Sequence, residues 1–197
     1  MSITLPELPD MSAFTPTLVT YSNDLSGPLG GPTQRLLRMG DRWKVAVTLA
    51  PLPRLEADAW AALLIAASRD TAVLNWPQPE GGAGSPGTPV VYGAGQSGMT
   101  LTIGGLTAGY MFRAGQMISF ITDGRRYSHM VMTGVTVASN GRIGLSILPL
   151  LRVSPADGDT VEVEQPSIEG LIDPDGLTIP YGSGGITSLG FTLTEQK

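Results

Sequence analysis

The sequence predicts a mainly β protein with a single α-helix, on three observations. Short runs of alternating apolar and polar residues recur along the chain, and Gly, Pro, Asn and Asp separate them. One alanine- and leucine-rich stretch breaks that alternation at helical length. Charged residues make up 15% and hydrophobic residues 42% of the 197 residues, the balance of a packed chain with one large core or two that share a boundary.

Taken in order, the first strand is expected at Leu18–Tyr21. The clearest follows in "WKVAVTL", where Trp43, Val45, Val47 and Leu49 fall on one face and Lys44, Ala46 and Thr48 on the other. In "LPRLEADAWAALLIAASRD" Pro53 suits an early helical position, Glu56 and Asp58 favour the positive end of the helix dipole, and Ala and Leu sustain the helix, read as Arg54–Ser68. Its middle, Ala59 to Ala67, has no polar face, so packing on a single sheet leaves apolar surface in water. Either small alanines tolerate that exposure or a second protomer covers the outer side.

A strand at Ala72–Asn75 precedes a proline- and glycine-rich connector, Trp76 to Pro89. Strands at Met99–Ile103, Met117–Ile121, Ser128–Val137, Gly144–Leu148 and Thr160–Val163 then make a compact unit. A second connector, Gln165 to Gly185, leads to a last strand at Gly190–Thr194, which cannot bury itself alone and is expected to rejoin the first sheet. The domain reading is therefore residues 1–89 and 165–197 as one domain, with 90–164 inserted into it.

Several function classes are set aside by composition. Twelve Lys and Arg against seventeen Asp and Glu give a net charge of −5 with scattered basic residues, which leaves no footprint for phosphate backbones. The absence of cysteine removes disulfides, thiolate metal sites and cysteine nucleophiles. The amino terminus does not read as a secretory signal, and the longest apolar run is far short of the roughly 18–20 residues that span a bilayer, so a soluble protein with no membrane partner is expected.

Gly93-x-Gly95-x-x-Gly98 spells a dinucleotide fingerprint, but Thr100 and Thr102 alternate with Met99, Leu101 and Ile103 where a helix should start, and no acid follows before Asp123. These glycines are read as flexible backbone where the chain crosses between units. His129, the only histidine, is read as a polar position on a β surface, with no local carboxylate or nucleophile to make it a base. Asp157 and Asp159 flank Gly158 and read as a tight turn rather than part of a calcium loop, and "DPDG" at 173–176 has the same character. Tyr92, Tyr110, Tyr127 and Tyr181 could form a sugar-stacking face or be ordinary core residues. No catalytic residue, cofactor site or metal site is expected.

"GDRWKVAVTLAPLPRLEADAWAALL", a segment ending in "NWPQP", "GAGQSGMTLTIGGL", "FRAGQMISF" and "LRVSPADGDTVEVEQP" together resemble, in that order, the distal tail proteins of long-tailed bacteriophages, over about residues 40 to 165. The resemblance implies a tube-like β-sandwich domain with one flanking helix, closed into a homo-hexameric ring between the tail tube protein and the baseplate hub protein of the virion tail tip. It also implies a peripheral domain; at this length an oligonucleotide/oligosaccharide-binding-type (OB-like) barrel fits better than a larger sandwich. Such a barrel is where tail fibre or receptor-binding proteins would attach, although the sequence lacks the long extra arm and extended receptor-binding module of larger members.

On that reading Trp60, Leu63, Leu64 and Ile65 anchor the subunit interface, and Leu64→Asp is expected to prevent ring formation while leaving the barrel folded. The strand Trp43–Leu49 joins the sheet around a lumen through which DNA passes without specific binding, as a net negative chain allows. Two alternatives stand beside it: another tail tube or tail-tip component, and a carbohydrate-binding module with Tyr92, Tyr110 and Tyr127 as partner or glycan contacts. A carboxylate-based hydrolase finds the least support, because no acid and base assemble.

Overall fold

A computed structural model describes residues 2–27, 30–36, 38–78, 84–174, 177, 179–180 and 185–196. The first third of the chain forms β1 (Ser2–Thr4), β2 (Ala13–Val19), β3 (Asn23–Leu25), β4 (Gln34–Leu36), β5 (Arg42–Thr48), β6 (Leu52–Pro53), α1 (Arg54–Ala67) and β7 (Thr71–Asn75). The middle forms β8 (Gly87–Val91), β9 (Gly98–Leu106), β10 (Met111–Phe112), β11 (Met117–Thr122), β12 (Arg125–Val131), β13 (Val135–Thr136), β14 (Ile143–Leu151) and β15 (Val161–Glu162). The chain ends with β16 (Ser167–Ile172), β17 (Ile186–Thr187) and β18 (Gly190–Glu195). The protein is mainly β with one helix among the described residues.

Six strands make an open sheet in the order β1, β7, β16, β18, β5, β2, antiparallel except for the parallel β1–β7 pair. The alternation read in "WKVAVTL" holds: Trp43, Val45, Val47 and Leu49 are buried, and Ala46 and Thr48 are exposed. Helix α1 covers this buried face with Ala57, Trp60, Ala61, Leu64 and Ala67, meeting Leu74, Ile168, Phe191 and Leu193 in one core. Pro53 precedes the helix, and the Ser68 amide bonds back to the Leu64 carbonyl at 2.9 Å as it ends.

The second sheet runs β15, β11, β12, β14, β9, β8 and is nearly closed. A Val90–Thr160 bridge, with Val91 N donating to Asp159 O at 2.8 Å and Gly158 N donating to Val91 O at 2.9 Å, joins its two edges into a barrel. Leu101, Ile103, Phe120, Leu145 and Ile147 fill the interior, and the β10–β13 ribbon brings Phe112 into the same core. The result is a small barrel, as expected for the inserted unit.

Three local expectations are corrected. The stretch 165–185, read as a connector, contains β16 in the middle of the first sheet. Its signal is hidden because β16 is covered on both sides, so Glu169 stands on a buried face, and because Gly170 interrupts the apolar pattern. A Cβ on Gly170 would lie 2.2 Å from the Thr194 carbonyl oxygen, so only glycine lets β18 approach. The run Ser128–Val137 is two strands, β12 and β13, rather than one. Gly93, Gly95 and Gly98 do not mark the passage between units. They form the β8–β9 turn of the barrel, at φ of 91°, 76° and 83°.

The chain leaves the first sheet after Asn75 and re-enters it at Ser167, where those two residues are register partners. Trp76 N donates to Pro166 O at 2.8 Å, so the outgoing and returning segments lie side by side. Gln78 fastens the barrel there: its Oε1 accepts Met117 N at 2.6 Å and its Nε2 donates to Val163 O at 3.3 Å.

Gly170→Ala is expected to lower the unfolding free energy by about 2–4 kcal/mol, since the clash is with backbone that cannot rotate away. Urea denaturation monitored by tryptophan fluorescence checks this, and a change below about 0.5 kcal/mol would show that the β16–β18 contact gives way easily.

Candidate functional site

The helix presents two unlike faces. Trp60 and Leu64, expected at a subunit interface, point into the chain's own core, with Leu64 fully buried. Leu63 is half-buried and packs against that core, so Ile65 is the one exposed member of the predicted set. The correction has a simple cause: with no polar residue between Ala59 and Ala67, periodicity could not tell which apolar side turned inward. Outward, Leu55, Ala59, Ala62, Ile65 and Ala66 make an exposed apolar stripe. Ile186, on the strand paired with β6 at the start of α1, is exposed beside that element.

A second feature carried no sequence signal. Between the paired strands β2 and β5 the chain extends into an arm whose two strands, β3 and β4, pair only with each other. All six of their residues are exposed, and Leu25, Leu36 and Met39 leave 51%, 40% and 62% of their surface in solvent. Asp24 and Arg35 clasp across the ribbon at 2.7 Å and 2.8 Å. At its base Tyr21 N donates to Asp41 Oδ1 at 2.7 Å, and the Arg42 guanidinium lies over the Tyr21 ring.

Across β2, β5 and β18, the middle of the sheet face opposite α1 carries small side chains, and Arg42 stands on the same face at one end of β5. Thr15, Ala46 and Thr192 are register partners in one row, and Thr17, Lys44 and Thr194 in the next. These six residues are exposed or half-exposed, and Lys44 is the single charge among them.

Barrel and sheet meet at buried polar groups. The Glu195 carboxylate takes Ser128 N at 2.7 Å and Trp43 N at 3.2 Å, and its Oε1 lies 2.7 Å from Nη2 of Arg152. Both charged side chains are almost wholly buried. Burial pushes the Glu195 carboxyl above its ordinary range, against the opposing pull of the Arg152 cation and the amides. Glu169 accepts Arg126 N at 3.1 Å, and Ser119 Oγ both donates to Glu162 at 2.6 Å and accepts Ser167 N at 3.0 Å.

His129 is corrected from a surface position to a fully buried one. It stacks on Phe120 at 5.3 Å, inside the strand that carries Ser128. Burial, and then the nearby Arg152 cation, lower its pKa to about 3, so the ring is neutral.

The tyrosines do not form a stacking face. Tyr110 and Tyr127 are buried, Tyr110 against Phe112 and Tyr127 against Phe120. Tyr92 is partly exposed, but the Arg142 guanidinium lies 3.9 Å over its ring, and its side chain fills the space left beside Gly104. Tyr181 lies outside the described residues, as do Asp175 and Gly176 of the 173–176 segment. Asp157 and Asp159 act on backbone in the expected turn, accepting Gly93 N at 2.7 Å and Ala156 N at 2.8 Å. Gln96 fills the glycine loop: Nε2 donates to the carbonyls of Tyr92, Gly93 and Thr102, and Oε1 accepts Thr102 N. The loop's Gly93 amide and its carbonyls are thus engaged by the protein itself, and a strand follows where a nucleotide fold needs a helix. Among the described residues, no three His, Asp or Glu side chains converge in a way that would hold a metal ion.

Two outcomes follow. Leu64→Asp is expected to abolish the cooperative unfolding transition of the first domain, because it buries an unpaired carboxylate, whereas Ile65→Asp should leave the melting profile within a few degrees of the native one. Circular dichroism melts of both variants check this.

The second outcome concerns pH. Below about pH 6.5 the unfolded chain protonates His129 while the folded chain does not, down to about pH 3, so this residue's contribution to stability falls as pH drops through that window. Relative to a His129→Gln variant, the native chain is expected to lose up to about 4 kcal/mol between pH 7 and pH 3.5, read from denaturant titrations at each pH. A constant difference between the two proteins would show that the ring is protonated inside the fold.

No protein-family model matches the chain, and no curated protein matches its sequence.

Proposed function

We propose that this protein is a structural component of a bacteriophage tail tip: a ring that joins the tail tube to the baseplate hub and holds a barrel at its periphery for fibre or receptor-binding proteins. The observation that carries the reading is the sheet face of Thr15, Thr17, Lys44, Ala46, Thr192 and Thr194. A channel that passes DNA must offer phosphate neither a cluster of cations nor aromatic platforms for bases. This face offers short hydroxyl and methyl groups, with Lys44 and, at the end of β5, Arg42 held over the Tyr21 ring as its two cations, in a chain of net charge −5.

Two further features support it. Exposed apolar residues sit on two different elements, the arm and the outer side of α1, and unlike patches that complement one another build rings rather than two-fold pairs. The ordered segments "GDRWKVAVTLAPLPRLEADAWAALL" and "LRVSPADGDTVEVEQP" resemble distal tail proteins and fall on β5–α1 and on the β14–β15 region of the barrel. The ring is a protein scaffold with no chemistry of its own.

Mass photometry of the purified chain is expected to give a species at six times the 20.6 kDa chain mass. A chain that stays single at tens of micromolar, or pairs two-fold, overturns the ring.

A further inference from the structure

We infer that the β3–β4 arm of one copy docks on the outward face of α1 of a second copy, with Arg38 of the arm meeting Glu56 of the helix. The inference rests on the ring reading and names the surfaces that close it.

The arm is an unfinished element. A two-stranded ribbon is marginal in water without a third strand or a packed face, and this one has neither, yet it carries Leu25, Leu36 and Met39 outward. The helix face is its counterpart. Leu55 is 87% and Ile65 48% exposed, and the exposed residues between them, Ala59 and Ala62, have only small side chains. Single exposed leucines are ordinary; two sets on separate elements of one chain, each without a cover, are less so.

Charge selects the pairing. Asp24 and Arg35 satisfy each other within the ribbon, and Arg54 pairs with Asp58 on the helix at 3.2 Å. Among the described residues this leaves Arg38, beside Met39, and Glu56, beside Leu55, exposed and without an ion-pair partner. One cation at the base of the arm, beside Met39, and one anion at the start of the helix, beside Leu55, set the orientation of the contact. Because arm and helix are different surfaces, each copy uses both, and the contact runs head to tail around a closed ring. Sheet continuation is the poorer route: β2, one free edge, carries Pro16 at its middle, and β1, the other, is three residues long.

Charge reversal in the full chain tests the pairing. Arg38→Glu and Glu56→Arg are each expected to raise the half-assembly concentration about tenfold, and the double variant to return it to within about threefold of native. Circular dichroism melts confirm that each variant is folded. A chain that assembles normally with either single reversal, or a double variant no better than the singles, overturns the docking while the ring stands; a native chain that never assembles overturns both.

Since the chain has no cysteine, Leu36→Cys and Leu55→Cys proteins mixed under oxidising conditions give an independent reading. A covalent dimer that forms in the mixture and in neither protein alone supports the docking. No dimer in the mixture, or dimers of Leu36→Cys alone, overturns it.

Discussion

The arrangement of barrel on sheet depends on one buried ion pair, Arg152 with Glu195. Removing two charges from water costs several kcal/mol per ion, and the cost is offset only where each charge finds the other together with further hydrogen bonds. Glu195 has both: the guanidinium of Arg152, and two backbone amides drawn from strands of different sheets, Trp43 of β5 and Ser128 of β12. Arg152 is less well supplied. None of its three guanidinium nitrogens makes a well-directed hydrogen bond: Nη2 meets Glu195 by proximity alone, and the face of Tyr127, 5.4 Å away, is a second electron-rich surface beside it. Shifting the barrel over the sheet would leave both charges buried and unmatched, so the present orientation is the one that satisfies them.

The same constraint explains His129. Burial in a dry interior penalises a charged ring first, and the Arg152 cation beside it adds repulsion, so the ring remains neutral and contributes as an aromatic surface against Phe120. A lone histidine that looks polar in sequence is thus part of the packing. The covalent path adds to the rigidity: the barrel is inserted at the tip of the antiparallel β7–β16 pair, so its two connections are adjacent, and Gln78 and Ser167 bind each to its neighbours. A domain held by two adjacent strands and a buried ion pair moves with the sheet, unlike a tethered module.

What could be read from the sequence follows from which residues see two environments. β5 has core on one side and solvent on the other, and its alternation gave the sheet and its register of faces. Helix α1 was legible in extent to within one residue because alanine and leucine propensities mark it, whereas its orientation was not, because apolar residues occupy both sides. β16 was hidden by being covered on both faces, and the Arg152–Glu195 contact by a separation of forty-three positions that no local pattern records. The β3–β4 arm was invisible for the opposite reason: it has no buried side, so no periodicity distinguishes its short strands from a loop.

The correction at Trp60 and Leu64 changes how a ring would form. Were those side chains the interface, the first domain would lack its core until a neighbour arrived, and folding would be inseparable from assembly, as in obligate dimers. With both residues inside the chain's own core, each copy would fold first and meet its neighbours afterwards. What is left for contact is modest: an apolar helix stripe, a short arm and a pair of unmatched charges. Weak contacts of that kind build a durable ring only when each copy makes two of them and the circle closes, because no single contact can then dissociate without its neighbours holding the copy in place. Closure, rather than the strength of any one interface, is the source of stability that this surface permits.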